Sequence, residues 1–122
     1  MSAPGVVLAN RILARHGSRP DLRLWRNETA GAWVGKRIGG TTGGDTILRG
    51  ARMIQAGLCR GSADLIGLTD TGRFIALEVK ASGDRLSAEQ ITFLGVVNDL
   101  GGIGEVVESV ADADLILGEP PS

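Results

Sequence analysis

Hydrophobic residues recur every three or four positions in residues 5–16 and 87–100, which predicts two amphipathic helices. Elsewhere they alternate with polar residues or form short runs, which predicts strands. The predicted strands are residues 22–26, part of 47–58, 63–68, 73–80 and 105–110, with a short last element at 111–117. This order predicts an α/β fold in which helices flank a mixed central β-sheet.

Glycine, with 19 residues, marks the breaks between these elements. Asp70-Thr71-Gly72 separates two predicted strands and predicts a β-hairpin turn. Seven glycines between Gly31 and Gly50, without a repeating period, predict a mobile loop. We therefore expect one domain over residues 1–118, with a glycine-rich loop at 31–50 and a frayed tail at 119–122.

Charge is distributed unevenly along the chain. Residues 11–85 hold all thirteen Lys and Arg with seven acids, whereas the residues after Arg85 hold seven acids and no base. A basic body and an acidic end favour a polyanionic partner, although segregation of solvated charge would give the same pattern. The candidate phosphate contacts are Arg26, Lys36, Arg37, Arg49, Arg52 and Arg60.

Cysteine content and hydropathy indicate the cellular setting. The single cysteine, Cys59, allows no intrachain disulfide, and no apolar run is long enough to span a membrane. We expect a soluble, cytoplasmic protein in which Cys59 is a small buried side chain. His16 precedes Gly17, so we expect it to end the first helix rather than to act as a base.

The candidate chemistry lies in the predicted hairpin. Side chains alternate along a strand, so Glu78 and Lys80 share a face, and the turn brings Asp64 opposite Glu78. Two neighbouring carboxylates repel each other, and a divalent cation such as Mg²⁺ relieves that repulsion. The simpler interpretation is a solvated Glu78–Lys80 ion pair, with Asp64 as a turn or cap residue.

Several motifs together resemble a known family. After Arg26-Asn27, the chain carries four further motifs in this order: GSADLIG at 61–67, GRFIALEVK at 72–80, LSAEQ at 86–90 and the glycine pair at 101–102. This arrangement resembles a stand-alone VRR-NUC domain, the virus-type replication-repair nuclease branch of the PD-(D/E)XK superfamily. The resemblance implies a restriction-endonuclease-like core.

The resemblance also implies a function and assigns roles to residues. It implies a metal-dependent DNA endonuclease acting on branched DNA such as four-way junctions or flaps. Asp64, Glu78 and the Val79 carbonyl would bind Mg²⁺ or Mn²⁺, and Lys80 would orient or help deprotonate the attacking water. Gln90 would assist the site, although Ser87 and Gln90 also have the spacing of a capping box.

Two departures from the family pattern bear on the metal site. Ala63 replaces the usual proline before the first aspartate, and residues 1–20 contain no acid, so Asn10 is the only oxygen ligand in the middle of the first helix. A one-metal site is therefore favoured over a two-metal site. The alternative function is a non-catalytic DNA-binding module that keeps the nuclease fold.

The expected assembly is a homodimer, as in the small phage and bacterial members that the chain resembles. A twofold axis would give a branched substrate two symmetric sites. The glycine-rich segment 31–50 could exchange between protomers as a swapped arm. Trp25 and Trp33, which flank its start, could anchor that interface or pack in the core.

Overall fold

A computed structural model of the chain describes residues 2–28, 30–81 and 83–121. The predicted order of elements is confirmed outside residues 31–50, and the short last element is a helix. The elements are α1 (Ala3–His16), β1 (Leu22–Arg26), β2 (Gly31–Gly40), β3 (Thr46–Gln55), β4 (Leu65–Thr69), β5 (Phe74–Val79), α2 (Ala88–Asp99), β6 (Ile103–Val107) and α3 (Val110–Leu117).

A mixed sheet in the order β1-β4-β5-β6 forms the centre of the domain. β4 pairs antiparallel with both β1 and β5, and β5 pairs parallel with β6. A parallel pair needs a crossover connection, and α2 provides it between β5 and β6. The register places Leu65 opposite Leu77, which brings the start of β4 to the same end of the sheet as the finish of β5.

Helices cover both faces of this sheet. α1 and α3 pack on one face, where the side chains of Ile12, Leu65, Leu77 and Val107 are fully buried. α2 packs on the other face over a smaller cluster formed by Ala63, Ala76, Leu94 and Val97. The result is the predicted sheet flanked by helices, with its larger core on the α1 side.

The hydrophobic face predicted for the second helix is only partly buried. Leu94 and Val97 contact the small residues of the sheet, whereas Ile91, Val96 and Leu100 are exposed. Helical periodicity identifies residues on one side of a helix, but the width of the surface that covers them decides how many are buried. The part of the sheet beneath α2 covers only the side of the helix that bears Leu94 and Val97.

The predicted loop at 31–50 is wrong. Residues 31–40 and 46–55 form a separate two-stranded antiparallel sheet, the β2–β3 hairpin, with Gly31 opposite Gln55 and Gly40 opposite Thr46. Backbone groups alone form such a ladder, so glycine does not prevent it. Gly50, at φ +63, lies at an irregularity in the pairing, where glycine adopts left-handed backbone without strain.

Other expectations from the sequence are also corrected. Cys59 is exposed rather than buried, because it lies in the irregular segment before β4. Trp25 and Trp33 are 50% and 63% exposed, so neither packs in the core of the chain. Among the described residues, no helix is long and apolar enough to span a bilayer.

The C-terminal end of α1 is held by a buried polar network. His16 is fully buried, and the Arg19 guanidinium donates to its Nδ1 over 3.0 Å. Arginine can only donate, so Nδ1 is the acceptor and Nε2 carries the proton that it donates to Asp114 at 2.7 Å. Burial lowers the pKa of His16, against the opposing effect of Asp114, and this favours the neutral imidazole.

Candidate active site

Three charged side chains, those of Asp64, Glu78 and Lys80, meet at one end of the central sheet. Asp64 directly precedes β4, Glu78 and Val79 end β5, and Lys80 follows. The Val79 amide donates to Asp64 Oδ2 over 2.9 Å, which fixes the first carboxylate against the end of the neighbouring strand. The antiparallel register therefore brings together residues fourteen positions apart in sequence.

Glu78 is the most unusual of these residues because it is buried. Its position on β5 turns it towards α2, on the same side as Ala76, and it is only 2% exposed. Its Oε1 accepts a hydrogen bond from Gln90 Nε2 at 3.0 Å. Its Oε2 is buried and finds no hydrogen-bond partner in the part of the chain that the structure describes. A buried carboxylate oxygen without a partner is costly, so this atom is a binding position for a proton or a cation.

The surroundings of Glu78 favour its protonated form. Burial, and then the neighbouring Asp64 carboxyl, raise its pKa to about 8, while Lys80 acts in the opposite direction. A carboxyl group stays protonated at neutral pH when nearby positive charge is too weak to stabilise its ionised form. A divalent cation would replace that proton.

Lys80 lies beside Glu78, with 3.7 Å between Nζ and Oε1. Only 19% of the Lys80 side chain is exposed, so this ion pair lies within the site. The interpretation of Glu78 and Lys80 as a solvated surface pair is therefore wrong, because the carboxylate is enclosed by α2.

Gln90 caps the start of α2 and also contacts Glu78. Its Oε1 accepts from the Ser87 amide at 2.8 Å, and its own amide donates to Ser87 Oγ, which completes a capping box. Its Nε2 is then left to donate to Glu78. The start of α2 and the buried carboxylate are thus joined through one side chain.

Asn27 supports the site, although sequence reasoning gave it no role. It is buried, and its Nδ2 donates to Ser62 Oγ and to the Ala63 carbonyl, both at 2.8 Å. Its Oδ1 accepts from the Leu58 amide, and its backbone amide donates to the Asp64 carbonyl. Asn27 therefore holds the segment that carries Asp64. The only signal in the sequence was its place in the Arg26-Asn27 motif.

The first helix contributes no free carboxylate. The Arg26 guanidinium donates to Asn10 Oδ1 and lies 3.8 Å from Glu28. The one side-chain oxygen expected from the middle of that helix is therefore engaged by a cation. This arrangement favours a single metal position.

The six candidate phosphate contacts are spread over three places. Arg26 lies at the end of β1, next to the start of β4. Arg60 is exposed and pairs with Glu89 of α2 at 3.3 Å. The other four lie on the β2–β3 hairpin and are Lys36, Arg37, Arg49 and Arg52.

The donor set fits a hard divalent cation with retained waters. Asp64 and Glu78 supply carboxylate oxygens, and the backbone carbonyl of Val79, whose amide contacts Asp64, would be a third oxygen ligand. Over residues 2–28, 30–81 and 83–121, no three or more His, Cys, Asp or Glu side chains cluster as metal ligands. Oxygen donors suit Mg²⁺, which is usually held by one or two carboxylates and waters, better than zinc, which favours nitrogen and sulfur ligands.

Comparison with protein families gives one match. The model described as the VRR-NUC domain matches residues 47–111, more than half of the 122-residue chain. The matched region contains Asp64, Glu78, Val79, Lys80 and Gln90. A search of curated proteins finds no similar sequence.

Proposed function

Because the chain belongs to the VRR-NUC domain family, a nuclease family, we propose that it is a divalent-metal-dependent, structure-selective DNA endonuclease. One observation carries the proposal: the buried Glu78 Oε2 has no partner among the described residues and lies next to a second carboxylate, Asp64. A structural ion pair would satisfy its own charges. A divalent cation bound at the two carboxyl groups would take the place of the proton that Glu78 holds in the metal-free protein.

Asp64, Glu78 and the Val79 carbonyl would hold Mg²⁺, and Mn²⁺ would substitute for it. When bound, the metal lowers the pKa of a coordinated water and stabilises charge on the phosphate. Hydrolysis forms a bond between water oxygen and phosphorus, breaks one P–O ester bond, and transfers a proton to the leaving oxygen. The reaction therefore requires that one proton be removed from the attacking water and that one proton be given to the leaving oxygen.

Lys80 would act on the attacking water. Its side chain lies at the edge of the carboxylate pair, only partly exposed, where its positive charge would orient the water and stabilise the hydroxide that forms when the water loses its proton. Gln90 keeps Oε1 of Glu78 in place through its hydrogen bond. Glu78 can then present its other oxygen to the metal.

The proposed substrate is branched DNA, such as a four-way junction or a flap, and the proposed assembly is a cytoplasmic homodimer. Two sites related by a twofold axis would address two scissile phosphates. The β2–β3 hairpin would supply the contact, as a swapped arm. Trp33 and Met53 lie opposite each other across the hairpin and are 63% and 53% exposed, and a second protomer would bury this pair.

A cleavage assay tests the function. Wild-type protein should nick a four-way junction and a flap with Mg²⁺ or Mn²⁺, and EDTA should abolish the products. Glu78→Gln keeps the shape of the side chain and should reduce cleavage by at least about a hundredfold. Glu105→Gln removes an exposed carboxylate from the neighbouring strand β6 and serves as the matched control.

The alternative function gives a different result in the same assay. A non-catalytic DNA-binding module would bind the junction at saturation and release no product with either metal. The engaged Asn10 favours that alternative, because it leaves the first helix without a free ligand. Equal cleavage of junction and linear duplex would instead retain the nuclease and remove the structure selectivity.

A further inference from the structure

The β2–β3 hairpin is an extension of the domain. Its two ten-residue strands pair only with each other and form a sheet separate from the central one. At about 3.3 Å per residue, each strand spans about 33 Å. Nearly every side chain of the hairpin is exposed or half-buried, so packing against the domain does not account for its sequence.

One face of the hairpin carries three cations, and we call it the basic face. Lys36 lies directly opposite Arg49, and Val34 lies directly opposite Arg52. Val34 and Lys36 are two residues apart on β2 and share a side. Their partners lie three residues apart on β3, and the irregularity at Gly50 takes up the extra residue, so that Arg49 and Arg52 share that side as well. The basic face therefore consists of Lys36, Arg49 and Arg52. Like charges placed directly across a strand pair destabilise it, so this arrangement works against folding of the hairpin.

The protein does not neutralise these charges. Within the residues that the structure describes, Lys36, Arg49 and Arg52 form no ion pair, whereas Arg19 and Arg60 in the body of the domain pair with carboxylates. The only acid in the hairpin is Asp45 in the turn. The Asp45 carboxylate accepts from Thr41 Oγ1, and its amide donates to the same oxygen.

We propose that the basic face binds the sugar-phosphate backbone of duplex DNA, with the hairpin lying along the major groove. The inference rests on the proposed function, because it assigns the arm that grips the nuclease substrate. A two-stranded ribbon fits the major groove, which is about 12 Å wide. Unpaired cations along such a ribbon would meet phosphates on the groove walls.

A second copy of the chain is a poorer partner for the same face. In a twofold-symmetric contact a surface meets itself, which would place Lys36, Arg49 and Arg52 against their own equivalents. Juxtaposed like charges oppose such a contact. The side of the hairpin that bears Trp33 and Met53 remains available for a protomer contact, because these residues alternate with Val34 and Arg52.

The salt dependence of binding tests the inference. The probe is a duplex of about 30 base pairs, roughly three helical turns, in EDTA so that no cleavage occurs. Lys36→Gln/Arg49→Gln should bind the duplex more weakly than wild type, with a log-log salt slope smaller by about 1.8 if both side chains contact phosphates. The affinity ratio between wild type and variant should then shrink about twelvefold between 50 and 200 mM salt.

A charge-matched control isolates the hairpin. Arg23→Gln/Arg73→Gln removes two positive charges at the end of the central sheet opposite Asp64, and it should leave the slope near the wild-type value. The hairpin variant should melt at the same temperature as wild type or higher, since a like-charge pair is relieved. With Mg²⁺ and DNA below saturation, its rate of cleavage should fall in proportion to its affinity.

Each contrary result has a separate meaning. An unchanged slope in the hairpin variant, while wild type still cleaves DNA, overturns the inference and leaves the proposed function standing. An equal loss on a single strand of the same length overturns the groove assignment. A change in oligomeric mass would make this face a contact between chains and also overturns it. If wild type binds DNA without cleaving it, the proposed function falls, and the slopes still decide the role of the hairpin.

Discussion

The metal-free protein should become more stable when Glu78 is replaced by glutamine. Glu78 is buried with one oxygen unpartnered, and the neighbouring Asp64 carboxyl raises the cost of ionising it. Glutamine has nearly the same shape and carries no charge. Its amide oxygen can still accept from Gln90, and its amide nitrogen can donate to Asp64.

The expected size follows from the pKa of Glu78. The pKa is raised from 4.5 to about 8 on folding, so between these values the folded chain binds more protons than the unfolded chain. The contribution of Glu78 to stability is therefore complete below pH 4.5 and is lost as pH rises towards 8. At about 1.4 kcal/mol per pH unit, roughly 3 kcal/mol is lost by pH 7, which sets an upper limit to the gain from Glu78→Gln.

Thermal and urea unfolding in EDTA measure this effect. At pH 7 we expect Glu78→Gln to exceed wild type by about 1–3 kcal/mol, at about 4 °C per kcal/mol for a domain of this size. The difference should vanish near pH 4.5, and Asp64→Asn should also stabilise the metal-free protein because it relieves the same repulsion. Glu105→Gln, an exposed change on β6, should have no such effect.

Adding metal should reverse the order of stability. Mg²⁺ or Mn²⁺ should raise the melting temperature of wild type, because a ligand that binds only the folded state stabilises it, and should leave Glu78→Gln nearly unchanged. A variant less stable than wild type in EDTA at pH 7 would refute the argument. So would a wild-type stability that does not change between about pH 5 and 8.

Four further outcomes are expected. Lys80→Ala should lower single-turnover cleavage about a hundredfold or more, with DNA affinity unchanged, because it acts on the water. Asn27→Ala should cost about 2–4 kcal/mol in urea unfolding, since it removes three hydrogen bonds near Asp64, two of them buried. In the Glu78→Gln variant, the free energy of unfolding should fall as pH drops below about 6.5. The lowered pKa of His16 keeps its imidazole neutral in the folded state, whereas the unfolded chain binds a proton there, so replacing His16 should reduce this dependence on pH. Light scattering at micromolar concentration should give about twice 12.7 kDa, lost on deletion of residues 39–44, whereas a monomer mass would refute the dimer.

The features that could be predicted from sequence are those that neighbouring residues specify. The two main helices and the β4–β5 hairpin follow from local periodicity and from one turn, Asp70-Thr71-Gly72. The meeting of Asp64 with Glu78 follows from the same turn, because a hairpin of known register decides which residues are opposite each other. Family motifs then added the roles that periodicity could not supply.

The β2–β3 hairpin escaped prediction for a physical reason. Its strands contain glycine at positions where a side chain would normally reveal alternation, and its ladder depends on backbone groups that every residue carries. Composition alone therefore suggested a loop. Only the three-dimensional pairing shows that Lys36 and Arg49 are opposite each other.

The chemical state of the site also depends on distant contacts. The sequence suggests that Glu78 is the partner of Lys80. In the folded domain α2 covers Glu78, Gln90 donates to one of its oxygens, and the other oxygen has no partner among the described residues. Asn27 joins β1 to the segment before β4 across more than thirty residues. Burial and such long-range hydrogen bonds arise only when separate elements pack, so local patterns identify the two carboxyl groups, and the packed domain raises the pKa of Glu78.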